Sequence, residues 1–488
     1  MDAVIGVDIG TSSSKGVLVG LDGVILATAV REHEVSRPVA GHVEMSMTEW
    51  WDEFVAITRE LRQNEATVVA VGVSGMGPCV GLADEAGTPL RPAILYGVDT
   101  RAHVQIAELT ERLGAEAVED VCGSALSTQA VGPKLAWLAE HEPEVFGAAR
   151  RLFMPSSYLA WKLTGAYVLD HQSASQSVPL YDIRAREWYR PWADDLVGEI
   201  ELPELVWADT VIGGVSAEAA EATGLPAGIP VIAGTIDAWS EAISVDGHNP
   251  GDLMLMYGTT MFLINTLSAR ASAPELWSTV GAFEDSYNLA GGMATSGAIT
   301  GWLRKLVGNV DYPTLLGEAA QSPAGANGLL LLPYFAGERT PIADPFARGV
   351  IAGLTLEHSR GDLYRAVLEA TAMGVRHHVE AFRAAAGQVD RVVAVGGGTQ
   401  SELWLQIVSD VTGLEQVVPR VTVGASFGAA YLAASAVAEV SIGERNPPAR
   451  RVQPDASTAA GYDALFELYR RLYVDSASVV HALAGRAD

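Results

Sequence analysis

The stretch Asp8-Ile9-Gly10-Thr11-Ser12-Ser13-Ser14-Lys15 decides the fold of this 488-residue chain. An apolar run at residues 4–7 precedes it, and a second apolar run at residues 16–19 follows it. Short apolar runs on both sides of a small-residue segment are typical of two strands joined by a tight turn. The stretch is therefore predicted to be a hairpin turn and not the strand-to-helix loop of a Walker motif.

The second half of the chain repeats this arrangement. Residues 253–257 are apolar and lead into Gly258-Thr259-Thr260, which predicts another strand followed by a glycine-threonine turn. A third glycine-rich segment, Gly396-Gly397-Gly398-Thr399-Gln400, follows the apolar run at residues 392–395. The segment from Thr399 to Glu402 is then predicted to open a helix that stops at Gly413.

The three glycine-rich segments suit a bound nucleotide. Consecutive N–H groups and hydroxyls at a turn can bind phosphate, and an acidic residue at a strand end, here Asp8, can hold Mg²⁺ through water. The first turn by itself would be explained equally well as a plain turn, but two facing turns predict a clamp on the triphosphate of ATP. The predicted nucleotide contacts are Gly10, Thr11, Ser12, Ser13, Lys15, Gly258, Thr259 and Thr260 for the phosphates, and Gly397, Gly398, Thr399 and Gln400 for adenosine. This trio of segments resembles the actin-like ATPase superfamily.

Other segments support an architecture of sheets covered by helices. Residues 68–73 form a continuous apolar run, as expected of a strand buried on both faces. The sequence Ser46-Met47-Thr48-Glu49 has the capping-box pattern and predicts a helix of about four turns. Residues 421–438 are rich in Ala, Ser and Gly, which favours a helix packed on a sheet over a membrane span.

The repeated plan predicts an α/β protein of two actin-like (RNase H-like) domains with a deep catalytic cleft between them. The polar stretch at residues 246–251, which contains Gly and Pro, is typical of a linker between two domains. We therefore assign residues 1–246 to an N-terminal domain and residues 247–488 to a C-terminal domain. The resemblance described below implies that the first binds the acceptor and carries the catalytic base, and that the second binds the nucleotide.

Composition excludes several classes of partner. The chain has 32 Lys and Arg against 59 Asp and Glu, a formal net charge of −27. A field of this sign repels nucleic acids and anionic membrane surfaces. Cys79 and Cys122 are distant in sequence and show no metal spacing, so a reducing cytoplasm is expected. No secretion signal is expected from the acidic N-terminus. A homodimer is one of the assembly states left open.

A resemblance to FGGY carbohydrate kinases covers nearly the whole chain. The segment Gly349-Val350-Ile351-Ala352-Gly353-Leu354, followed after seven residues by the segment from Asp362 to Glu369, is similar to the C-terminal signature of that family. Residues 332–334 and 337–341 resemble the corresponding segment of xylulokinases. The other family signature is matched only in part, at residues 134–141, because Gln129 and Val131 depart from it.

The resemblance implies a catalytic role for Asp237, which matches the position of the family's catalytic Asp. A positioned carboxylate can remove the proton from a sugar hydroxyl that attacks phosphorus. The alternative is that Asp237 serves as a helix N-cap.

The resemblance also implies an acceptor pocket containing Met76, Gly77, Asp99, Arg101 and Asp237. Asp99 and Arg101 are predicted to bind vicinal hydroxyls, and the alternative is that Asp99 caps the following helix. Xylulokinases carry a His at the position of Gly77. The sequence therefore predicts a pocket with more room and one donor fewer, which argues against D-xylulose as the best acceptor.

These features predict ATP-dependent phosphorylation of a small sugar or polyol hydroxyl, with a xylulokinase-like preference for a ketopentose or pentitol. One alternative is another actin-fold phosphotransferase, such as an acetate kinase or a hexokinase-like enzyme. A second alternative is an ATP-driven chaperone-like protein.

Overall fold

The computed structural model describes residues 1–386 and 388–485. The first half of the chain builds a sheet of order β13-β14-β5-β1-β2-β3, in which the short β15 also pairs with β5. All strands of this half of the chain, inside and outside that sheet, are β1 (Asp2–Ile9), β2 (Ser13–Gly20), β3 (Ile25–Glu32), β4 (Glu44–Met45), β5 (Thr67–Gly75), β6 (Gly81–Ala83), β7 (Ala93–Ile94), β8 (Arg151–Phe153), β9 (Val168–Asp170), β10 (Tyr181–Asp182), β11 (Glu187–Trp188), β12 (Glu204–Val206), β13 (Val211–Gly214), β14 (Pro230–Ile232) and β15 (Thr235–Ile236).

The second half builds a sheet of order β18-β19-β17-β16-β22-β23-β24. All strands of this half, including β20 and β21 outside that sheet, are β16 (Asp252–Tyr257), β17 (Met261–Leu267), β18 (Trp277–Val280), β19 (Tyr287–Met293), β20 (Leu330–Leu332), β21 (Val350–Ala352), β22 (Arg391–Val395), β23 (Gln416–Pro419) and β24 (Pro448–Val452).

Helices cover the two sheets. In the first half they are α1 (Met47–Leu61), α2 (His103–Leu113), α3 (Ala115–Cys122), α4 (Val131–His141), α5 (Pro143–Ala148), α6 (Pro155–Thr164), α7 (His171–Ser175), α8 (Arg190–Val197), α9 (Ala217–Thr223) and α10 (Asp237–Ser244). In the second half they are α11 (Gly297–Leu306), α12 (Tyr312–Gln321), α13 (Arg360–Ala386), α14 (Glu402–Thr412), α15 (Ala425–Ser435), α16 (Ile442–Arg445) and α17 (Ala459–Ala484). In the described part of the chain, no helix combines the length and apolar composition needed to cross a membrane.

The predicted strand-turn-strand units are present in both halves. β1 and β2 are antiparallel around the first turn, with Asp8 opposite Lys15. β16 and β17 are antiparallel around the second turn, with Tyr257 opposite Met261. Each unit has a parallel neighbour on its other side, β5 in the first sheet and β22 in the second. The two halves therefore share one plan, as the sequence indicates.

Two predicted helices differ in how they start. α1 begins after Ser46, whose hydroxyl accepts a hydrogen bond from the Thr48 N–H at 3.2 Å. The prediction that Thr399 caps the start of helix α14 was wrong by two residues. The segment Gly397–Gln400 forms a 3₁₀ turn, and α14 begins at Glu402 with Ser401 as its cap. A 3₁₀ turn precedes the helix because the Thr399 hydroxyl donates a hydrogen bond to the carbonyl of Gly396. The helix stops at Gly413, as predicted.

The small-residue helix α15 crosses between the halves. It packs on β1, β5 and β2 of the first sheet, although it belongs to the second half of the chain. The approach is so close that a Cβ at Gly6 would overlap the backbone of Ser426 and Ala430, and one at Gly72 would overlap the carbonyl of Ala429. This contact explains why glycine occupies both strand positions.

Helix α10, from the first half, packs toward the second sheet. Trp239, Ala242 and Val245 share an apolar cluster with Met254 and Val393. The Trp239 indole also donates a hydrogen bond to Asn288 Oδ1 at 2.9 Å. α10 and α15 contact each other directly, since the hydroxyl of Ser240 donates to the carbonyl of Ala425 at 2.8 Å. The cleft between the halves opens at the N-terminal ends of these two helices.

Candidate active site

A cavity of about 400 Å³ lies between the two halves. The lining from the first half includes Asp8, Ser13, Lys15, Gly77, Tyr96, Gln129, Asp237 and Glu241. The lining from the second half includes Thr260, Phe262, Trp277, Arg339 and Gly424. A site assembled from both sheets is what two facing turns require.

Asp8 and Lys15 enter the cavity from neighbouring strands. The β1–β2 register places the two residues opposite each other. Asp8 Oδ1 is buried, and among the described residues it has no hydrogen-bond partner. Burial, together with the charge of Asp237, raises the pKa of Asp8 above its ordinary value. Lys15 Nζ donates to the carbonyl of Val423 at 3.2 Å and so links the first turn to the second half of the chain.

Asp237 is the first residue of α10 and lies at the edge of the cavity. β15 ends just before it and pairs in parallel with β5, with Ile236 opposite Gly75. The N-cap position of α10 belongs to Ile236, and Asp237 Oδ1 accepts a hydrogen bond from the N–H of the next residue, Ala238, at 2.7 Å. Asp237 therefore does not hold the N-cap position that the alternative interpretation required. Burial raises its pKa.

Glu241 is a third carboxylate in the cavity and is not among the residues predicted from the sequence. It lies one helical turn after Asp237 on α10, and its carboxylate reaches the start of α15, where a Cβ at Gly424 would be 2.8 Å from Glu241 Oε2. Burial, helped by the charge of Asp237, raises the pKa of Glu241 to about 7, and the Lys15 charge acts in the opposite direction. The spacing of four residues on one helix face was a usable signal.

The predicted phosphate contacts are divided between the cavity and its surroundings. Ser13, Lys15 and Thr260 line the cavity. Gly10, Thr11 and Ser12 form the first turn, and Gly258 and Thr259 form the second. The Thr11 hydroxyl lies 2.7 Å from the Tyr96 hydroxyl, so in the structure it has a partner within the protein. The phosphate roles of these residues stay predictions.

The third glycine-rich segment lies beside the second turn. β22 is parallel to β16, so Gly396 follows a strand end next to Tyr257, and a Cβ at Gly396 would be 2.6 Å from the Tyr257 carbonyl oxygen. A Cβ at Gly398 would be 2.8 Å from Trp404. Near Gly397, in contrast, no heavy atom of the described residues lies within 4 Å of an added Cβ. Of these glycines, Gly397 alone faces open space, which suits the predicted adenosine contact. Thr399 and Gln400 close the same 3₁₀ turn.

The predicted acceptor residues separate into two groups. Gly77 lines the cavity, and Met76 is buried beside it, where its sulfur accepts a hydrogen bond from Thr11 at 3.7 Å. Asp99 and Arg101 are paired with each other at 2.8 Å and are absent from the described cavity lining.

The partners of Asp99 and Arg101 are local. Asp99 also accepts from the Val43 N–H at 2.6 Å, and Arg101 also pairs with Glu44 at 2.8 Å. Helix α2 begins after Ala102 without a side-chain cap, so Asp99 does not cap it. A direct grip on acceptor hydroxyls stays a prediction for both residues.

The volume beside Gly77 corrects another expectation. The sequence predicts extra room where xylulokinases carry an imidazole. In the structure, a Cβ at Gly77 would lie 2.8 Å from both Cγ1 and Cδ1 of Ile236. The isoleucine fills this volume because the β15–β5 pairing brings it to the same sheet edge.

Several further cavity residues had no local sequence signal. Trp239, Phe262 and Trp277 form an aromatic wall, with the Phe262 ring centroid 6.2 Å from each of the two indoles. Arg339 adds a cation from the loop after β20. Gln129, which departs from the family signature, accepts a hydrogen bond from the Gly97 N–H at 3.0 Å. These residues come from separate elements, so only the tertiary structure brings them together.

The cavity carboxylates offer oxygen donors of the kind that Mg²⁺ prefers. Within residues 1–386 and 388–485, no group of three or more His, Cys, Asp or Glu side chains is arranged to hold a metal ion by itself. Mg²⁺ usually needs only one or two carboxylates, because substrate phosphates and water complete its shell. The unpartnered Asp8 oxygen beside Asp237 fits that donor set.

Comparison with known proteins identifies the family. Residues 3–244 match the N-terminal domain of the FGGY family of carbohydrate kinases, and residues 253–437 match its C-terminal domain. The xylulose kinase of Escherichia coli (strain K12) is 32% identical over 481 residues, which cover 96% of this chain and 98% of that protein. The chain belongs to the FGGY family of carbohydrate kinases.

Two further relatives extend the comparison of this FGGY kinase. The crystal structure of xylulose kinase from Rhodospirillum rubrum superposes with a TM-score of 0.93 at 33% identity, covering 98% of this chain and 100% of that chain. The glycerol kinase of Nocardia farcinica (strain IFM 10152) is 32% identical over 456 residues, which cover 89% of this chain and 90% of that protein.

These matches confirm the predicted fold class and enzyme class. As an FGGY kinase, the protein phosphorylates a small sugar at the expense of ATP. Membership of the family also decides against the two alternatives, a different actin-fold phosphotransferase and a chaperone-like ATPase.

Proposed function

We propose that this FGGY kinase transfers the γ-phosphate of ATP to a hydroxyl of a ketopentose or pentitol, with Asp237 as the general base. The observation that carries the proposal is the placement of Asp237 in a cavity lined from both halves, beside Asp8 and opposite Thr260 of the second turn. The names of the relatives, which include several xylulose kinases, favour a five-carbon acceptor.

The chemistry asks for a base close to the acceptor hydroxyl. In phosphoryl transfer the proton leaves late, and a positioned carboxylate within hydrogen-bond reach can accept it. The raised pKa of Asp237 makes this carboxylate a stronger base than an exposed one and brings it closer to neutral pH. The aromatic wall of Trp239, Phe262 and Trp277 can exclude water from the acceptor, which limits ATP hydrolysis.

Asp8 would hold Mg²⁺ through water, which leaves Asp237 free to act as the base. Mg²⁺ held there would supply positive charge that reduces the negative charge met by the acceptor oxygen. Lys15 and Arg339 line the same cavity and add two cations from opposite halves. These residues orient the phosphates, and Asp237 holds the acceptor proton.

The decisive experiment compares wild type with Asp237→Asn on an acceptor panel of ketopentoses, pentitols, ketohexoses and glycerol, scored by ADP release. We expect kcat for the best acceptor to fall about 10²–10⁴-fold, the range for loss of a general base. ATP binding should stay within a fewfold of wild type. Asp285→Asn, at an exposed position outside the cavity lining, is the control and should keep wild-type activity. Activity of Asp237→Asn within a fewfold of wild type would refute the assignment.

The same panel tests the acceptor class. We expect a ketopentose other than D-xylulose, or a pentitol, to give the highest kcat/KM, because the position of the xylulokinase imidazole is occupied by Gly77. A preference for D-xylulose over every other member would contradict this part of the proposal and leave the kinase assignment intact.

We also propose a cytoplasmic location for the enzyme. Cys79 and Cys122 are buried free thiols, which suits the reducing cytoplasm. Homodimer formation stays a prediction, and analytical ultracentrifugation of the full chain would measure it.

A further inference from the structure

The residue before the proposed base is held against the acceptor loop by long-range strand pairing. β15 consists of Thr235 and Ile236 only, and it runs parallel to the end of β5, with Thr235 opposite Ser74 and Ile236 opposite Gly75. Gly77 follows β5 by two residues, and Asp237 follows β15 directly. Parallel strands end at one sheet edge, so the pairing fixes Ile236 next to Gly77.

Ile236 and any side chain at position 77 compete for one volume. The Cγ1 and Cδ1 atoms of Ile236 would each lie 2.8 Å from a Cβ at Gly77, well inside normal carbon contact. The next nearest atom, Met154 Sδ, would lie 3.7 Å away, an ordinary contact, so the overlap involves Ile236 alone among the described residues. Ile236 is only 2% exposed, and both Gly77 and Ile236 line the cavity.

We propose that Ile236 and Gly77 form a specificity-determining pair that gives the acceptor pocket an aliphatic wall beside the base. The proposal rests on the proposed function and refines its substrate class. The wall offers aliphatic carbon where a polar side chain at position 77 would offer a hydrogen-bond donor. An acceptor that fits it presents a C–H face there and directs its hydroxyls toward Tyr96, Gln129 and Asp237, which line the same cavity.

The chemical consequence is tolerance of one missing hydroxyl. A site built to hydrogen-bond a hydroxyl rejects the analogue that lacks it, because buried polar groups are left unpaired. An aliphatic wall has no such group to leave unpaired. The acceptor class of this enzyme therefore includes a deoxyketose or deoxypolyol that carries hydrogen in place of a hydroxyl at the carbon facing Ile236.

The first experiment uses wild-type enzyme and a series of singly deoxygenated analogues of its best acceptor, with ADP release as the readout. One analogue should keep kcat/KM within about tenfold of the parent, whereas removal of the other binding hydroxyls should cost at least about 10²-fold. Loss of at least 10²-fold for every analogue would overturn the proposal. If wild type shows no acceptor-dependent ADP release, the proposed function itself has failed.

The second experiment is a double-mutant cycle with Gly77→His and Ile236→Ala. Gly77→His alone should lower kcat/KM at least about tenfold for all acceptors, because the imidazole and the isoleucine cannot share the volume. Ile236→Ala removes both clashing atoms. In the double variant, activity should recover at least fivefold over Gly77→His, since contacting residues are coupled. In the same double variant, kcat/KM for the tolerated deoxy analogue should fall relative to kcat/KM for its parent.

Ile243→Ala is the matched control, because Ile243 is a buried isoleucine on α10, the helix that follows Ile236, and is not part of the described cavity lining. It should lower Tm without changing the ratio of kcat/KM between the parent and its deoxy analogue. Additive effects of Gly77→His and Ile236→Ala on that ratio would overturn the proposal. Should Gly77→His fail to fold, Ile236→Val and Ile236→Leu measured on the deoxy series still decide it, because both must keep the tolerance.

Discussion

The turn at Gly10-Thr11-Ser12 and the turn at Gly258-Thr259-Thr260 join strand pairs of the same design, yet their surroundings differ in charge. In each turn the N–H of the glycine donates a hydrogen bond to the backbone carbonyl of a later residue, Ser13 at 3.2 Å in the first turn and Thr260 at 3.1 Å in the second. Two residues before the glycine, the first unit has Asp8 and the second has Met256.

The same contrast holds after the turn, where Lys15 lies opposite Asp8 in the first unit and the neutral Phe262 lies opposite Met256 in the second. Helix α10 then adds Asp237 and Glu241 to the first turn only. The difference teaches that a repeated backbone does not carry repeated chemistry. Proton and metal chemistry are concentrated at the first turn, and the second turn supplies neutral groups. Burying carboxylates in this way costs stability that the neutral side does not lose.

Among variants of the two strand-turn-strand units, the largest effect is expected at the strand end of the first turn. Asp8→Asn should lower kcat by about 10–100-fold, the range for losing a group that holds a metal through water. The Mg²⁺ concentration for half-maximal rate should rise, and excess Mg²⁺ should restore part of the activity. A magnesium titration at saturating ATP measures both quantities.

The matched control for this variant is Met256→Leu, at the corresponding position of the second turn. It should stay within about threefold of wild type, because the volume is conserved. If Asp8→Asn shows wild-type magnesium dependence, Asp8 is only a turn residue, and the proposed contrast between the turns is wrong.

The second effect is on the free energy of unfolding, which the buried carboxylates near the first turn lower. The folded pKa of Glu241, about 7, exceeds the ordinary value of 4.5 for a glutamate, so the cost of its charge grows as pH rises from about 4.5 to 7 and is constant above that. Glu241→Gln should therefore raise the free energy of unfolding by about 1–3 kcal/mol at pH 8, and most of this gain should be gone at pH 5.

Urea unfolding of the protein without nucleotide or added metal, at both pH values, measures this difference. Glu402→Gln, at an exposed carboxylate in the first turn of α14, serves as the control and should show no such pH dependence. A gain of equal size at pH 5 and pH 8 would show that Glu241 is not held with a raised pKa.

The smallest effect is expected at the neutral turn. Thr260→Val removes one cavity hydroxyl and should reduce kcat/KM for ATP about two- to tenfold, the value of a single neutral hydrogen bond. Thr260→Ser keeps the hydroxyl and should remain close to wild type. Steady-state kinetics with varied ATP distinguishes the two variants. A loss as large as that of Asp8→Asn would mean that both turns carry catalysis equally.

Local sequence determined much of this molecule. Alternation of apolar runs with small-residue turns specifies a strand-turn-strand unit over short distances, so both units, β5 and the cap of α1 could be predicted. Asp8 was found because it ends a strand, and Asp237 because its segment resembles a family motif. The helix at α15 was predicted from its small residues, but its partner was not, since nothing local indicates that a helix of the second half packs on Gly6 and Gly72 of the first sheet.

What the tertiary structure decided is the composition of the pocket around those residues. Ile236 contacts Gly77 only because β15 pairs with β5, and Glu241 faces Lys15 only because α10 packs against α15. Asp99 and Arg101 pair with each other outside the cavity lining. Backbone pattern is encoded by neighbours in sequence, whereas contacts across strands and helices depend on register and packing between segments far apart in the chain. The sequence by itself therefore determined the enzyme class, and only the folded chain decided which side chains meet the acceptor.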